Sequence, residues 1–171
     1  MQAWEQEYVE YVTARLPSLR RLGYLLCGDG HGADDLVQQT ITTLYVRWRR
    51  ASAADNLDAY VRQMLVRAFL DEKRRPWSRV RLTEAPPEPP ARTDAGANAE
   101  DGIVLRAALR QVPRKQRAVL VLRFLCDLPV AEVAELLHCS EGTVKSQTSH
   151  GLAALRRLLG VQALAVLGKG R

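Results

Sequence analysis

Pro129-Val130-Ala131-Glu132-Val133-Ala134-Glu135-Leu136-Leu137-His138-Cys139-Ser140-Glu141-Gly142-Thr143-Val144-Lys145-Ser146 is the stretch that decides the fold. Val130, Val133, Ala134 and Leu137 recur at helical spacing and share one face. Ala134 is small, which permits a second helix to cross closely. His138-Cys139-Ser140 then turns the chain. Ser140 is suited to cap the next helix through its hydroxyl, and Glu141 complements the positive helix start. That helix is predicted to run to Leu159, with Val144, Thr148, Leu152, Leu155 and Leu159 on its buried face. Thr143, Lys145, Ser146, Gln147, Ser149 and His150 are left outward, near its N-terminus. Short hydrogen-bonding side chains flanked by a base suit the reading of base edges in a major groove. Arg156 and Arg157, further along, suit phosphates. A helical hairpin with a merely solvated polar face is the plainer alternative. The coincidence of cap, small residue and local basic charge favours a helix-turn-helix.

Working back from this motif, Ala118, Val119, Leu122 and Leu125 mark one helix and Ile103, Leu105, Ala108, Leu109 and Val112 a shorter one, with Pro113 ending the first of them in chain order and opening the second. Charge supports treating this segment separately. Residues 101–171 carry eleven Lys/Arg against five Asp/Glu, whereas residues 1–76 carry eleven against ten. The net charge of +6 therefore resides in the C-terminal segment, which points to a polyanionic partner for that part.

Between the two lies Ala85-Pro86-Pro87-Glu88-Pro89-Pro90-Ala91, followed by small and polar residues. Four prolines in five positions suit neither helix nor sheet. Residues 77–100 are read as a Pro-rich flexible linker. About 24 extended residues span roughly 80 Å, so the flanking parts are able to grip distant sites. The expected division is 1–76, linker 77–100, 101–160 and a tail 161–171 whose Val161 start extends the last helix before Gly168 and Gly170 fray it.

The N-terminal part also reads as helical. Trp4, Tyr8, Tyr11 and Val12 share a face. Pro17 is expected to start or kink the next piece, whose stripe is Leu19, Leu22, Leu25 and Leu26. Gly28-Asp29-Gly30-His31-Gly32 reads as a turn. Leu36, Val37, Ile41, Leu44, Tyr45 and Trp48 form a further stripe, and Asp34, Asp35, Gln38 and Gln39 cluster at the start of that helix, a patch suited to a basic helical partner. Asn56 is a plausible N-cap for a helix from Leu57 to about Arg75 that buries Val61, Met64, Leu65 and Ala68. Arg62, Gln63 and Arg67 are placed opposite that face, with Lys73, Arg74 and Arg75 at its end. No run alternates with period two. The fold class expected is all-α, two small helical domains joined by the linker.

Other classes fit less well. Cys27, Cys126 and Cys139 form no CxxC pair, and with His31, His138 and His150 they make no ligand ladder, so no disulfide framework, metal or cofactor is expected. No Ser/His/Asp or phosphate-loop pattern suggests an enzyme. The start Met1-Gln2-Ala3-Trp4-Glu5 has acid where a signal peptide has base, and no apolar run reaches the roughly 18 residues of a membrane span, so a cytoplasmic protein is expected.

Longer motifs carry a resemblance. Arg114-Lys115-Gln116-Arg117-Ala118-Val119-Leu120-Val121-Leu122-Arg123, Val130-Ala131-Glu132-Val133-Ala134 and Ser140-Glu141-Gly142-Thr143-Val144-Lys145-Ser146 resemble region 4 of extracytoplasmic-function (group 4) sigma factors. Ala33-Asp34-Asp35-Leu36-Val37-Gln38-Gln39-Thr40 resembles their region 2.2. Ala59-Tyr60-Val61-Arg62 through Leu70-Asp71-Glu72-Lys73-Arg74-Arg75 resembles regions 2.3 and 2.4. The likeness spans about 5–76 and 101–159, in the right order. It implies a subunit that selects promoters for core RNA polymerase, with an anti-sigma factor as a further partner class. Asp34, Asp35, Gln38 and Gln39 would meet the polymerase clamp helices, and the C-terminal part would meet the flap. Asn56, Tyr60, Arg62, Gln63 and Arg67 would lie at the −10 element of promoter DNA, where aromatic and amide groups suit unstacked bases. Glu141, Thr143, Lys145, Ser146, Gln147, Ser149 and His150 would lie at the −35 element. The alternative is a stand-alone helix-turn-helix transcriptional regulator. Five positions depart from common family usage: Tyr60 where Trp is frequent, Arg67 where Asn is frequent, His138 where the turn often has Gly, and His150-Gly151 where Arg-Ala is common. Gly151 is expected to lower helix propensity by up to about 1 kcal/mol. If position 138 needs a positive φ, His138 is strained.

Overall fold

The computed structural model describes residues 2–71 and 99–160. Every regular element among them is helical, and the chain divides into two compact units, Met1–Glu88 and Pro89–Arg171. The all-α, two-unit architecture expected from the sequence is thereby met. The linker expected over 77–100 lies outside the described residues apart from its last two positions, which already belong to a helix. The tail at 161–171 and the basic cluster Lys73, Arg74 and Arg75 also lie outside them.

The first unit contains α1 (Ala3–Cys27), α2 (Gly30–Val46), α3 (Trp48–Ser52) and α4 (Leu57–Asp71). Pro17 neither starts nor ends a helix: α1 runs through it without interruption. A proline there removes one backbone donor at a cost of several kcal/mol in an isolated helix. Contacts on both sides of it hold α1 in one piece. Beyond it, Leu19, Leu22 and Leu26 are buried; before it, Tyr8 and Tyr11 are anchored to other helices. The turn after α1 is shorter than expected. Gly28 takes the left-handed conformation (φ 80°), and its N–H donates to the Tyr24 carbonyl. The Asp29 carboxylate accepts from the Gly32 N–H at 2.6 Å, so α2 begins at Gly30 and already contains His31 and Gly32.

The stripe on α2 ends at a break. Arg47 closes that helix, and Trp48, 4% exposed, begins α3. An aromatic cluster joins α1 to this corner. Trp4 and Tyr8 pack on Tyr45, and Tyr8 and Tyr11 pack on Trp48, with ring centroids 5.2–5.8 Å apart. The Tyr8 hydroxyl donates to the Ile41 carbonyl at 2.8 Å. The Tyr11 hydroxyl donates to Asp58, which also takes the Arg15 guanidinium at 2.8 Å. Burial, and then the bond to Asp58, push the Tyr11 phenol above its ordinary range. These contacts tie the first turn of α4 to α1.

Asn56 caps α4 as expected, its Oδ1 accepting from the Ala59 N–H at 2.9 Å. The buried face differs from the expected one. Val61, Leu65, Val66 and Phe69 are fully enclosed, while Met64 and Ala68 are half-buried. The stripe is rotated because Phe69 offers far more apolar area than Ala68, and the larger side chain takes the centre.

The second unit contains α5 (Ala99–Gln111), α6 (Arg114–Leu120), a π-helical turn (Val121–Leu125), α7 (Val130–Leu137) and α8 (Glu141–Leu159). Ala108, Leu109, Val112, Leu120, Ala154 and Leu155 form a core cluster from α5, α6 and α8. Val121, Leu122, Val133 and Val144 are fully buried. On α7 the innermost residues are Val133, Ala134 and Leu136, whereas Val130 and Leu137 are half-buried. Arg117, 9% exposed, points its guanidinium at the end of α5, donating to the Arg110 and Val112 carbonyls at 2.7 and 3.0 Å. Among the described residues no helix is long and apolar enough to cross a membrane.

Candidate nucleic-acid interface

The turn between α7 and α8 is fixed by the backbone. His138 sits at φ 52°, its N–H donates to the Glu135 carbonyl, and the Cys139 N–H donates back to the Ala134 carbonyl at 3.0 Å. This is the glycine-favouring end of a Schellman motif. The strain expected of His138 is therefore present. Replacing His138 with glycine should stabilise the unit by about 0.5–1 kcal/mol, moderated by the extra chain entropy glycine loses. Thermal unfolding of the two proteins measures this, and an unchanged or lower midpoint would show that the His138 side chain compensates the strain.

Ser140 opens α8. Its Oγ accepts from the Thr143 N–H at 3.1 Å and shares a second hydrogen bond, 2.9 Å, with the Thr143 hydroxyl. Thr143, read from sequence as an outward contact, is thus partly engaged in the cap. Val144, Thr148, Gly151, Ala154 and Leu155 face inward. Lys145, Ser146, Ser149 and His150 are exposed, as are Glu141 and Thr143, and Gln147 is half-buried. At 3.6 residues per turn, Ser146, Ser149 and His150 stand opposite the buried face, with Lys145 and Gln147 flanking them on either side. The structure thereby gathers Thr143, Lys145, Ser146, Gln147, Ser149 and His150 into one strip on the N-terminal half of a capped helix, while Glu141 falls in line with Val144 and Thr148 and stands outside it.

On the inward face of α8, opposite that strip, lies a contact that sequence reasoning missed. The Arg123 Nη1 donates to Thr148 Oγ1 at 3.2 Å, and the Thr148 hydroxyl in turn donates to the Val144 carbonyl. The Arg123 guanidinium also lies 5.1 Å over the Phe124 ring. It comes from the π-helical turn, a local rearrangement that leaves no sequence pattern of its own.

In the first unit, Asn56, Tyr60, Gln63 and Arg67 fall on one stripe of α4, spaced four, three and four residues apart. Asn56 and Arg67 are exposed, Tyr60 and Gln63 half-buried. Arg62 stands apart from them. Helical spacing puts it in line with Val66 and Phe69, both fully buried, so it does not lie opposite the apolar face as expected. The patch on α2 is present but not bare. Arg20 reaches Asp34 through two hydrogen bonds, 2.9 and 3.2 Å, and His31 Nε2 lies 3.7 Å from Asp35. Gln38 is exposed and Gln39 half-buried. Among the described residues no group of His, Cys, Asp and Glu is placed to hold a metal ion.

Two family patterns match: Sigma-70 region 2 over residues 11–79 and Sigma-70 region 4 over residues 103–155. The RNA polymerase sigma-E factor of Streptomyces coelicolor is 35% identical over 158 residues, covering 90% of this chain and 86% of its own. The ECF RNA polymerase sigma factor SigM of Mycobacterium tuberculosis is 30% identical, covering 83% and 71%. The chain belongs to the extracytoplasmic-function sigma factors of the sigma-70 family.

The fold agrees. The sigma factor RpoE of Bartonella quintana, solved in complex with the anti-sigma factor NepR, superposes with a TM-score of 0.70 at 24% identity, covering 92% of this chain and 99% of its own. In this sigma factor the region 2 match contains α4 and most of α1, and the region 4 match contains the whole turn from α7 into α8.

Proposed function

We propose that this sigma factor brings core RNA polymerase to promoters by three surfaces, each assigned to named residues. Asp34, Asp35, Gln38 and Gln39 on α2 meet core polymerase. Asn56, Tyr60, Gln63 and Arg67 on α4 meet the −10 element. Glu141, Thr143, Lys145, Ser146, Gln147, Ser149 and His150 at the start of α8 meet the −35 element. The observation that carries this is the α8 strip: short polar groups and one base opposite a fully buried face, on a helix whose start is capped. Such a helix enters a major groove by its N-terminal end. The segment boundaries 1–76, 77–100, 101–160 and 161–171 belong to the same proposal. So do a non-catalytic role, residence in the cytoplasm and control by a protein of the anti-sigma class.

Run-off transcription with core polymerase tests it. Lys145→Ala or His150→Ala should lower initiation about tenfold, the scale of one lost base or phosphate contact, while co-purification with core stays intact. Loss of core binding in these variants would overturn the assignment of α8. A chain that never redirects core polymerase, yet binds duplex promoter alone, would favour the stand-alone regulator.

A further inference from the structure

Gly151 follows His150 on α8, and its surroundings on α6 are tight. A Cβ at this position would lie 2.9 Å from Leu120 Cδ1, 3.0 Å from Leu120 Cγ and 3.4 Å from Gln116 Cβ. Gln116 and Leu120 are one turn apart on α6. Gly151 therefore occupies the hole between them, where the two helices cross. Leu120 has little room to yield. It is 3% exposed and packed in the cluster with Ala108, Leu109, Val112, Ala154 and Leu155. The 3.0 Å contact is to its branch point, which moves only with the whole side chain.

We propose that Gly151 is a positioning residue for promoter reading. By lacking a Cβ it seats α8 on α6 at a separation that sets the depth and angle at which Ser146, Gln147, Ser149 and His150 are presented. This rests on the assignment of α8 to the −35 element above. A side chain at 151 has to be accommodated by movement of α8, since the α6 side is enclosed. A helix moves as a body, so the displacement reaches His150 beside it and Ser146 and Gln147 one turn earlier. Base-edge hydrogen bonds have a narrow distance window, roughly 2.7–3.2 Å, and weaken when misaligned. The same glycine weakens α8 as a helix. Substitution by alanine thus raises the propensity of the helix while displacing its reading face.

The experiment uses the full chain with core polymerase on templates randomised over the −35 hexamer, beside thermal unfolding of the free protein. Gly151→Ala is expected to lower initiation at the sequences wild type prefers by about tenfold, the scale of one lost base contact, with an unfolding midpoint at or below wild type, as overpacking against Leu120 offsets the gain in helix propensity. Leu120→Val withdraws the Cδ1 atom; alone it should stay within about twofold, because it removes no reading residue. The pair Gly151→Ala/Leu120→Val should recover most of the lost initiation and the wild-type hexamer preference. An unchanged preference in Gly151→Ala overturns the proposal. So does a lowered midpoint with no recovery in the double variant, which marks Gly151 as a packing residue only. If wild type itself is indifferent to the −35 hexamer, the assignment of α8 fails first and the positioning role falls with it.

Discussion

Phe69→Ala is expected to cost the first unit about 3–5 kcal/mol, the range for a fully buried phenylalanine replaced by alanine. Phe69 has no exposed surface, and Leu26, Leu44, Val61, Leu65 and Val66 are equally enclosed in the same unit. A deletion there removes transfer energy and leaves a cavity that neighbouring helices fill only in part. Since domains of this size are stable by roughly 5–15 kcal/mol, a large share of the unit's margin disappears. The functional consequence follows from the position of Phe69 on α4, two residues beyond Arg67. With its inner face loosened, α4 no longer holds Asn56, Tyr60, Gln63 and Arg67 in one stripe. Urea unfolding followed by tryptophan fluorescence checks this, because Trp4 and Trp48 both sit in this unit. Phe69→Leu should cost less than about 1.5–2 kcal/mol, as nearly volume-conserving changes do. A loss below 1 kcal/mol in Phe69→Ala would mean that Phe69 is not the centre of the core.

The helix-turn-helix was legible because every device that builds it is local. Ser140 caps within three residues, and the apolar repeat from Val144 to Leu155 runs along one helix. The family resemblance rested on such local runs as well. What escaped the sequence depended on partners far along the chain. Pro17 reads as a break because a proline normally is one; that α1 continues depends on Tyr8, Tyr11 and Leu22 being held by helices that come later. Arg62 reads as polar and therefore outward, but the direction of α4's buried face is decided by Phe69 and Val66. Gly151 reads as a weak point in a helix. Its contacts with Gln116 and Leu120, more than thirty residues earlier, make it a close crossing instead. Asp34 and Asp35 read as a free acidic patch, whereas Arg20, fourteen residues before Asp34, already engages one carboxylate. In each case the residue type states a cost or a charge, and only the partner states what offsets it.

Arg117 shows the same logic. In the sequence Arg117 stands in Arg114-Lys115-Gln116-Arg117, the start of the region 4 likeness, where nothing marks it as buried. In the structure its side chain is enclosed, and it donates to carbonyls that the end of α5 leaves without intrahelical partners. Those carbonyls are exposed by the helix ending at Gln111, and Pro113 supplies no N–H to replace the lost donors. Arg117→Ala should therefore destabilise the second unit by about 2–4 kcal/mol, combining lost charge-assisted bonds with buried carbonyls left unpaired. Arg117→Met, which keeps the apolar stem, should recover only a minor part. Arg117→Lys should fall between, since a single ammonium cannot reproduce the planar fork that serves two carbonyls at once. Denaturant unfolding monitored by far-ultraviolet circular dichroism orders the three variants. If Arg117→Met proved as stable as wild type, the guanidinium bonds would count for nothing net and the stem alone would matter. The Arg117 bonds set how α6 leaves α5, and α6 carries the Gln116 and Leu120 against which Gly151 packs. A loosened α5–α6 joint should therefore weaken −35 discrimination in Arg117→Lys even at temperatures where the unit remains folded.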